Sequence, residues 1–163
     1  MKNLLLLFIV PFLSYSQISF SDLKQINSAS EFRKIMLLKG FEKIPYSCPT
    51  SDSGKYAYGY NISQTSGYGG YDLCFIDIEA YYYNSGYFTI NFSIGYTEMY
   101  YASVTPVYHR VINEIKSSCT FVDVRDLSNG QEALCYSCPG SKYPGLIGFY
   151  TNGGRGTIFT IKK

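Results

Sequence analysis

The sequence predicts an α+β domain in which helices pack on an antiparallel sheet, and three patterns support this prediction. Apolar and polar residues alternate through Asp72 to Tyr101, with the period of two that is typical of half-buried strands. Apolar residues recur at helical spacing in two other stretches, after Ser28 and after Thr105. Turns rich in glycine, serine and asparagine separate the remaining short apolar runs, as expected for antiparallel strands joined by tight connections.

The stretch from Asp72 to Tyr101 is predicted to form one long β-hairpin. The inward-facing residues of its two arms are Cys74, Ile76, Ile78, Ala80, Tyr82, Phe88, Ile90, Phe92, Ile94 and Tyr96. Between the arms, Asn84-Ser85-Gly86 is a three-residue loop whose glycine can adopt a positive φ. If Tyr83 faces Tyr87, each inward apolar residue meets an apolar partner. A shift of one residue would remove this match, so the register is well specified.

Two helices are predicted from capping residues and apolar stripes. The first, about Ala29 to Lys39, begins with a capping box at Ser28 to Glu31 and ends before Gly40. The second follows Thr105, which can cap it, with Pro in its first turn. Its predicted inward stripe is Tyr108, Val111, Ile112 and Ile115. Upstream of both, Ser21 could cap a short additional turn.

The predicted elements repeat in order along the chain. Further strands are expected at 41–46, 56–62, 119–125, 132–137, 146–151 and 156–161. The chain therefore reads αββββ twice, in halves of about 17–101 and 102–163, and each unit is a helix packed on a sheet. Tyr-Ser-Cys-Pro occurs in both halves, although at places that are not equivalent. Whether the halves are duplicates, and whether they share one sheet or sit side by side, stays open.

Residues Met1 to Ser16 are predicted to be a cleaved signal peptide. A lysine is followed by the apolar run Leu4 to Leu13, and serines at −3 and −1 precede the expected cut at Gln17. This run is too short for a transmembrane anchor, which takes about 20 apolar residues. We therefore expect an exported chain, periplasmic or secreted, without stable membrane insertion, in which residues 17–163 form a single domain.

The cysteines predict disulfides, because all five lie in the exported part, where disulfides persist. They are Cys48, Cys74, Cys119, Cys135 and Cys138. An odd number allows at most two bridges within one chain and leaves one thiol. We expect Cys119 to bond Cys135 or Cys138. A four-residue loop between their strands places Cys119 opposite Cys138, whereas a shorter loop shifts the register by one or two residues. The strand-like flanks of this C-x-x-C motif favour a structural role over redox catalysis, in which the motif opens a helix.

Composition excludes one class of partner and indicates another. A net charge of +2, with 16% charged residues, is too balanced and too sparse for a nucleic-acid surface. The chain contains 18 tyrosines and no tryptophan. Tyr81, Tyr83 and Tyr87 lie on the polar side of the hairpin or at its tip, and tyrosine offers large, rigid contact area with a polar end. We predict these three as binding residues. The alternative is that tyrosine serves only as a strand former in a sheet without tryptophan.

Few residues indicate catalysis. Asp77 and Glu79 are carboxylates on one strand face with Cα atoms about 7 Å apart, and glycosidase carboxyl pairs lie about 5 to 9.5 Å apart. An ordinary solvated sheet surface is the preferred interpretation of this pair. His109 is expected to be exposed on its helix. A zinc site needs four ligands and the chain has a single C-x-x-C motif, so no metal or cofactor is predicted.

The tandem order of helix and sheet resembles the architecture of small secreted β-lactamase-inhibitor proteins, which repeat such a unit in a chain of this size. The resemblance is in the order of elements, and it implies a binding module. We therefore predict a small exported non-enzymatic binding protein, either a ligand-recognition module or an inhibitor, with a tyrosine-rich sheet surface. Its expected partner is a protein, a small molecule or a glycan. The alternative is a small exported hydrolase that uses Asp77 and Glu79.

Overall fold

The computed structural model describes residues 18–45, 48, 56–66, 72–92 and 106–162. The predicted signal peptide, the Thr105 cap and the hairpin residues beyond Phe92 lie outside these ranges. The described residues form three helices and eight strands in an α+β arrangement, which agrees with the predicted fold class. None of the three described helices combines the length and apolar character that crossing a membrane requires.

The helices are α1 Phe20–Gln25, α2 Ala29–Leu38 and α3 Pro106–Ser118. The Ser28 side chain caps α2 by accepting a hydrogen bond from the Glu31 backbone N–H at 3.3 Å, as predicted. The buried residues of α2 and α3 largely match the predicted stripes, and they are Phe32, Ile35, Met36, Val107, Tyr108, Val111 and Ile115. Ile112, which was expected in the same stripe, is only partly buried.

Helix α1 begins at a different cap from the one expected. The Ser19 side chain, not that of Ser21, accepts a hydrogen bond from the Asp22 backbone N–H. The Asp22 carboxylate in turn accepts from the Ser19 backbone N–H at 2.8 Å. The physical reason is that Asp22 stands three residues after Ser19 and completes a capping box with it, whereas Ser21 lies inside the helix.

The strands are β1 Glu42–Lys43, β2 Tyr56–Ser66, β3 Asp72–Tyr82, β4 Phe88–Phe92, β5 Thr120–Asp126, β6 Glu132–Ser137, β7 Leu146–Asn152 and β8 Arg155–Ile161. They form one antiparallel sheet in the order β1-β2-β3-β4-β8-β7-β6-β5. The neighbouring pair β4 and β8 joins strands from both halves of the chain into this single sheet. The duplication of the halves remains a prediction. Strand β1 is shorter than the expected 41–46, although the pairing continues one residue beyond it, where the Ile44 N–H donates to the Ala57 carbonyl at 3.2 Å.

The hairpin of β3 and β4 has the predicted register. Its Cα partners include Ile78–Phe92, Ala80–Ile90 and Tyr82–Phe88. The Tyr83 N–H donates to the Tyr87 carbonyl at 2.9 Å, which closes the three-residue loop. Gly86 in that loop has a φ of 85°, a conformation that favours glycine. The predicted register is therefore confirmed along β4, and the predicted partner Ile94 lies outside the described residues.

All three helices pack on one face of the sheet, which we call the helix-covered face. Tyr108 of α3 shows why a glycine stands inside strand β8. A Cβ at Gly156 would lie 2.6 Å from the Tyr108 ring, so only glycine lets the helix approach this closely. The Tyr108 hydroxyl donates to the Tyr150 carbonyl at 2.9 Å, and burial raises the pKa of Tyr108 to about 12. Tyr108 thus stays neutral and anchors α3 to the sheet.

Candidate functional site

Of the three tyrosines predicted to bind a partner, Tyr81 is buried. Its side chain is 1% exposed, so this ring is not accessible to a partner, although Tyr81 lies on the predicted face of the strand. Strand β3 lies between β2 and β4, and the direct neighbours of Tyr81 on those strands are Ala57 and Thr89. Both neighbours are small, which leaves room for a ring among them. The alternation of the sequence placed Tyr81 on the correct face of the strand, but alternation cannot show how far that position is covered.

Tyr83 and Tyr87 flank the loop at the end of the hairpin and are half-buried. Their backbones are joined by the hydrogen bond that closes the loop. The ammonium of Lys162 lies 5.6 Å from the centroid of the Tyr87 ring, within range of a cation–π interaction. The structure therefore keeps two of the three predicted residues close together, at the end of the sheet where β8 also ends.

Tyr143 joins this region and was not found from the sequence. It is 8% exposed and lies in the connection between β6 and β7. The N–H of the preceding residue, Lys142, donates to the Lys24 carbonyl at 2.8 Å, which ties this connection to α1. Burial raises the pKa of Tyr143, and the nearby Tyr87 adds a smaller rise. The buried Tyr143 hydroxyl has no hydrogen-bond partner among the described residues. No periodicity marks a residue in a turn, so the sequence carries no signal for this contact.

The face of the sheet opposite the helices carries an aromatic pair. Tyr150 of β7 and Phe159 of β8 meet edge to face, with ring centroids 6.0 Å apart, and both are half-buried. Gly148 lies beneath the Phe159 ring. A Cβ at this position would come within 2.7 Å of a ring carbon, so the close approach of the ring requires glycine. Thr89 pairs with Phe159 across β4 and β8. Tyr87 stands two residues before Thr89, just outside β4, and continued alternation assigns it to this face. We call Tyr87, Tyr150 and Phe159 the aromatic surface.

The same period-two pattern that identified the first hairpin could have identified the rings of the last one. In β7, Gly148 and Tyr150 alternate with the buried Ile147 and Phe149. In β8, Phe159 stands between two buried residues that point to the helix-covered face. The pattern thus places both rings opposite the helices, and only their closeness to each other depends on the pairing of β7 with β8.

Polar side chains border the aromatic surface. The Thr157 hydroxyl donates to the Asn91 side-chain oxygen at 3.0 Å. Asn91 stands directly opposite Glu79, and Thr157 stands directly opposite Tyr150. The surface therefore combines ring faces with hydrogen-bonding groups, a combination that is common in recognition surfaces.

The two candidate catalytic carboxylates have partners within the chain. The Asn61 side-chain amide donates to Asp77 Oδ2 at 2.6 Å. Glu79 Oε2 lies 3.9 Å from the Arg155 guanidinium, and the Glu79 side chain is 15% exposed. The structure thus places each carboxylate in a polar contact that suits a structural role.

Two disulfides are present, Cys48–Cys74 and Cys119–Cys138. The second confirms the expectation that Cys119 bonds a cysteine of the C-x-x-C motif. The loop between β5 and β6 has three residues, closed by the Leu127 N–H donating to the Gln131 carbonyl at 2.8 Å, not the four that the Cys138 register required. A β-bulge between Phe121 and Asp123 moves the pairing back by one residue. This bulge brings Cys119 opposite Cys138.

Cys135 is the remaining thiol, and it is fully buried on the face opposite the helices. Burial raises the pKa of the Cys135 thiol, the negative charge of Asp123 raises it further, and Arg125 partly offsets this. A thiol with a raised pKa is a poor nucleophile at neutral pH because the thiolate is the reactive form. With Cys138 already in a disulfide, this C-x-x-C motif does not form a redox pair.

The other candidate ligands are dispersed. His109 is exposed on α3, with its ring 5.8 Å from that of Tyr108. Within the described ranges, no three His, Cys, Asp or Glu side chains come together as a metal-binding group. Searches against family models, curated proteins and solved structures found no match for this chain. The class that the structure defines is an α+β chain with one eight-stranded antiparallel sheet, and the resemblance to β-lactamase-inhibitor proteins rests on the order of elements alone.

Proposed function

We propose that this chain is a small exported non-enzymatic binding protein that recognises a protein or a glycan through the aromatic surface. One observation carries the proposal. The described helices all pack on one face of the sheet, yet Tyr150 and Phe159 place half-buried rings on the other face, to which alternation also assigns the half-buried Tyr87. Rings that the main core does not enclose offer contact area to a partner. This proposal replaces the buried Tyr81 with Tyr150 and Phe159, and it keeps Tyr83 as a neighbour of the surface.

The chemistry of this surface suits recognition more than catalysis. Tyrosine and phenylalanine bury much area with few rotatable bonds, so they lose little conformational entropy on binding. The polar neighbours Thr89, Asn91 and Arg155 can supply hydrogen bonds that orient a partner. Ring faces beside such groups fit either the apolar face of a sugar or the side chains of a protein surface.

Export is part of the proposal and has two supports. The first residues have the pattern of a signal peptide. Disulfides between Cys48 and Cys74 and between Cys119 and Cys138 are compatible with an oxidising compartment. The tandem αββββ duplication is likewise a proposal. It is supported by the sheet order, in which two runs of four strands meet at their last members, β4 and β8.

Replacing Tyr87 and Tyr150 together with serine should weaken partner binding at least about tenfold, because buried tyrosines at an interface centre typically carry 1 to 2 kcal/mol or more each. The partner is first identified with the mature wild-type chain, by pull-down for proteins and by an array for glycans. Affinity is then measured by calorimetry. Phe121→Ser is the control, because this ring is 50% exposed on the helix-covered side of an edge strand. A double variant that folds and binds as tightly as the wild type would contradict the proposal.

The alternative, a small exported hydrolase, is tested at Asp77 and Glu79. Any hydrolytic activity of the purified mature chain towards glycosidic substrates should disappear in the combined Asp77→Asn and Glu79→Gln variant, because a carboxyl pair cannot then act as acid and nucleophile. These substitutions are nearly isosteric, so circular dichroism should show an unchanged fold. Activity that survives the double change would show that the two carboxylates are not catalytic.

A further inference from the structure

Strand β5 lies at the edge of the sheet and carries exposed apolar side chains. Phe121, Val122 and Val124 are 50%, 47% and 51% exposed. They account for three of the five large apolar residues that are exposed in the described part of the chain. Edge strands are usually protected by charged side chains, proline or β-bulges. Strand β5 has no lysine or proline, but it carries Asp123, Arg125 and the bulge between Phe121 and Asp123. Its exposed apolar residues therefore stand beside charges, whose order decides which strand can pair with this edge.

The backbone of β5 can accept another strand. The hydrogen bond from Leu127 to Gln131 shows that the backbone groups of Leu127 point towards β6. Because these groups alternate in direction along a strand, those of Val124 and Asp126 point to the open side. Among the described strands, only β6 pairs with β5, so an added antiparallel strand would pair with the outward N–H and carbonyl groups of Val124, in the middle of β5.

Two opposite charges flank Val124. Asp123 and Arg125 share one face of the strand, and Asp123 Oδ2 lies 3.1 Å from Arg125 Nε. Their side chains remain 41% and 33% exposed. This order of acid, valine and base is self-complementary. When a second copy runs antiparallel to the first, the acid of each strand faces the base of the other.

We propose that two copies of this chain associate by antiparallel pairing of their β5 strands, with the two-fold axis at Val124. In this register Asp123 of each copy lies opposite Arg125 of the other, and the two valines meet on the axis. An axis at residue 123 would place the Asp123 side chains of the two copies opposite each other. An axis at residue 125 would do the same to the two Arg125 side chains. Like charges directly opposite are destabilising and opposite charges are stabilising. The charge order therefore selects the Val124 register.

A second copy fits this edge better than an unrelated strand does. Only pairing with an identical chain uses the self-complementary order on both sides of the axis. Pairing would also cover the exposed Val124 side chains of both copies, and it would join the two sheets into one. The aromatic surface involves β4, β7 and β8, so this association is independent of the proposed binding function.

The test is sedimentation equilibrium of the mature chain over a range of concentrations. We expect a concentration-dependent dimer for the wild type. Asp123→Arg alone and Arg125→Asp alone should each raise the dimer dissociation constant at least about tenfold, because each places like charges opposite each other twice. An equimolar mixture of the two variants should associate again as a heterodimer, in which every facing pair is complementary. Leu38→Lys, at a 73% exposed leucine of α2, should leave the dissociation constant unchanged.

The mixture separates a specific register from general surface effects. Circular dichroism of each variant shows whether it folds, and a folded pair that regains association in the mixture supports the proposal. Arg125 also donates to the Lys162 carbonyl at 3.4 Å, so replacing it removes a contact within the chain as well as a charge. The chain that carries both Asp123→Arg and Arg125→Asp is therefore a second check. Its facing charges are complementary again, so it should form the homodimer. A wild type that stays monomeric at every accessible concentration would overturn the proposal. So would single variants that associate as tightly as the wild type, or a mixture of folded variants that does not associate.

Discussion

Replacing Ile78 with aspartate should unfold the domain or destabilise it by at least about 4 kcal/mol, a large part of the 5 to 15 kcal/mol that stabilises a typical domain. Ile78 is 2% exposed and stands between Tyr60 of β2 and Phe92 of β4. A carboxylate there would lose its hydration without gaining a partner, and it would face the helices that cover the sheet. Removing the isoleucine also opens a cavity in the core.

The measurement is chemical denaturation of the purified mature chain, followed by circular dichroism. Val122→Asp is a matched control, because it introduces the same charge in place of a branched aliphatic side chain that is 47% exposed. We expect it to cost less than about 1 kcal/mol, as surface substitutions usually do. Equal sensitivity at the two positions would mean that the assignment of faces in β3 is wrong.

Replacing Cys119 and Cys138 with serine should lower the free energy of unfolding by about 3 kcal/mol, the value expected for a bridge that closes a loop of this order. Their sequence separation is 19 residues, and the bridge links the start of β5 to the end of β6. Without it, the unfolded chain gains conformational freedom. The end of β5 that lies far from the hairpin turn also loses its covalent cross-link to β6.

Cys135→Ala provides the control for the cysteine prediction and should cost about 1 kcal/mol or less, because it removes a small buried group that takes no part in a bridge. Peptide mapping without reduction should recover Cys119 linked to Cys138. Alkylation should reach Cys135 only after denaturation, since its side chain is fully buried. A peptide that joins Cys135 to Cys138, with Cys119 free, would contradict the structure.

The candidate site was partly predictable from the sequence. Alternation along β3 and β4 placed Tyr81 and Tyr87 on the face opposite the helices, because the side-chain period of a strand is a local property. Burial of Tyr81 at 1% exposure depends on what surrounds β3 in the sheet. The meeting of Tyr150 with Phe159 depends on the pairing of β7 with β8. A recognition surface is therefore harder to predict than the strands that carry it.

The sequence by itself determined the α+β class, the helices α2 and α3, and the register of the first hairpin. Capping residues, apolar periods and turn glycines act over a few residues, so they can be read without knowing the rest of the chain. It also limited the partner of Cys119 to two candidates. Only the tertiary structure decided that Cys138 is the partner, because a bulge within β5 corrects the shift that the short loop introduces. Only the tertiary structure placed β4 beside β8 and left β5 at the edge, since strand order depends on contacts between residues that are distant in the chain.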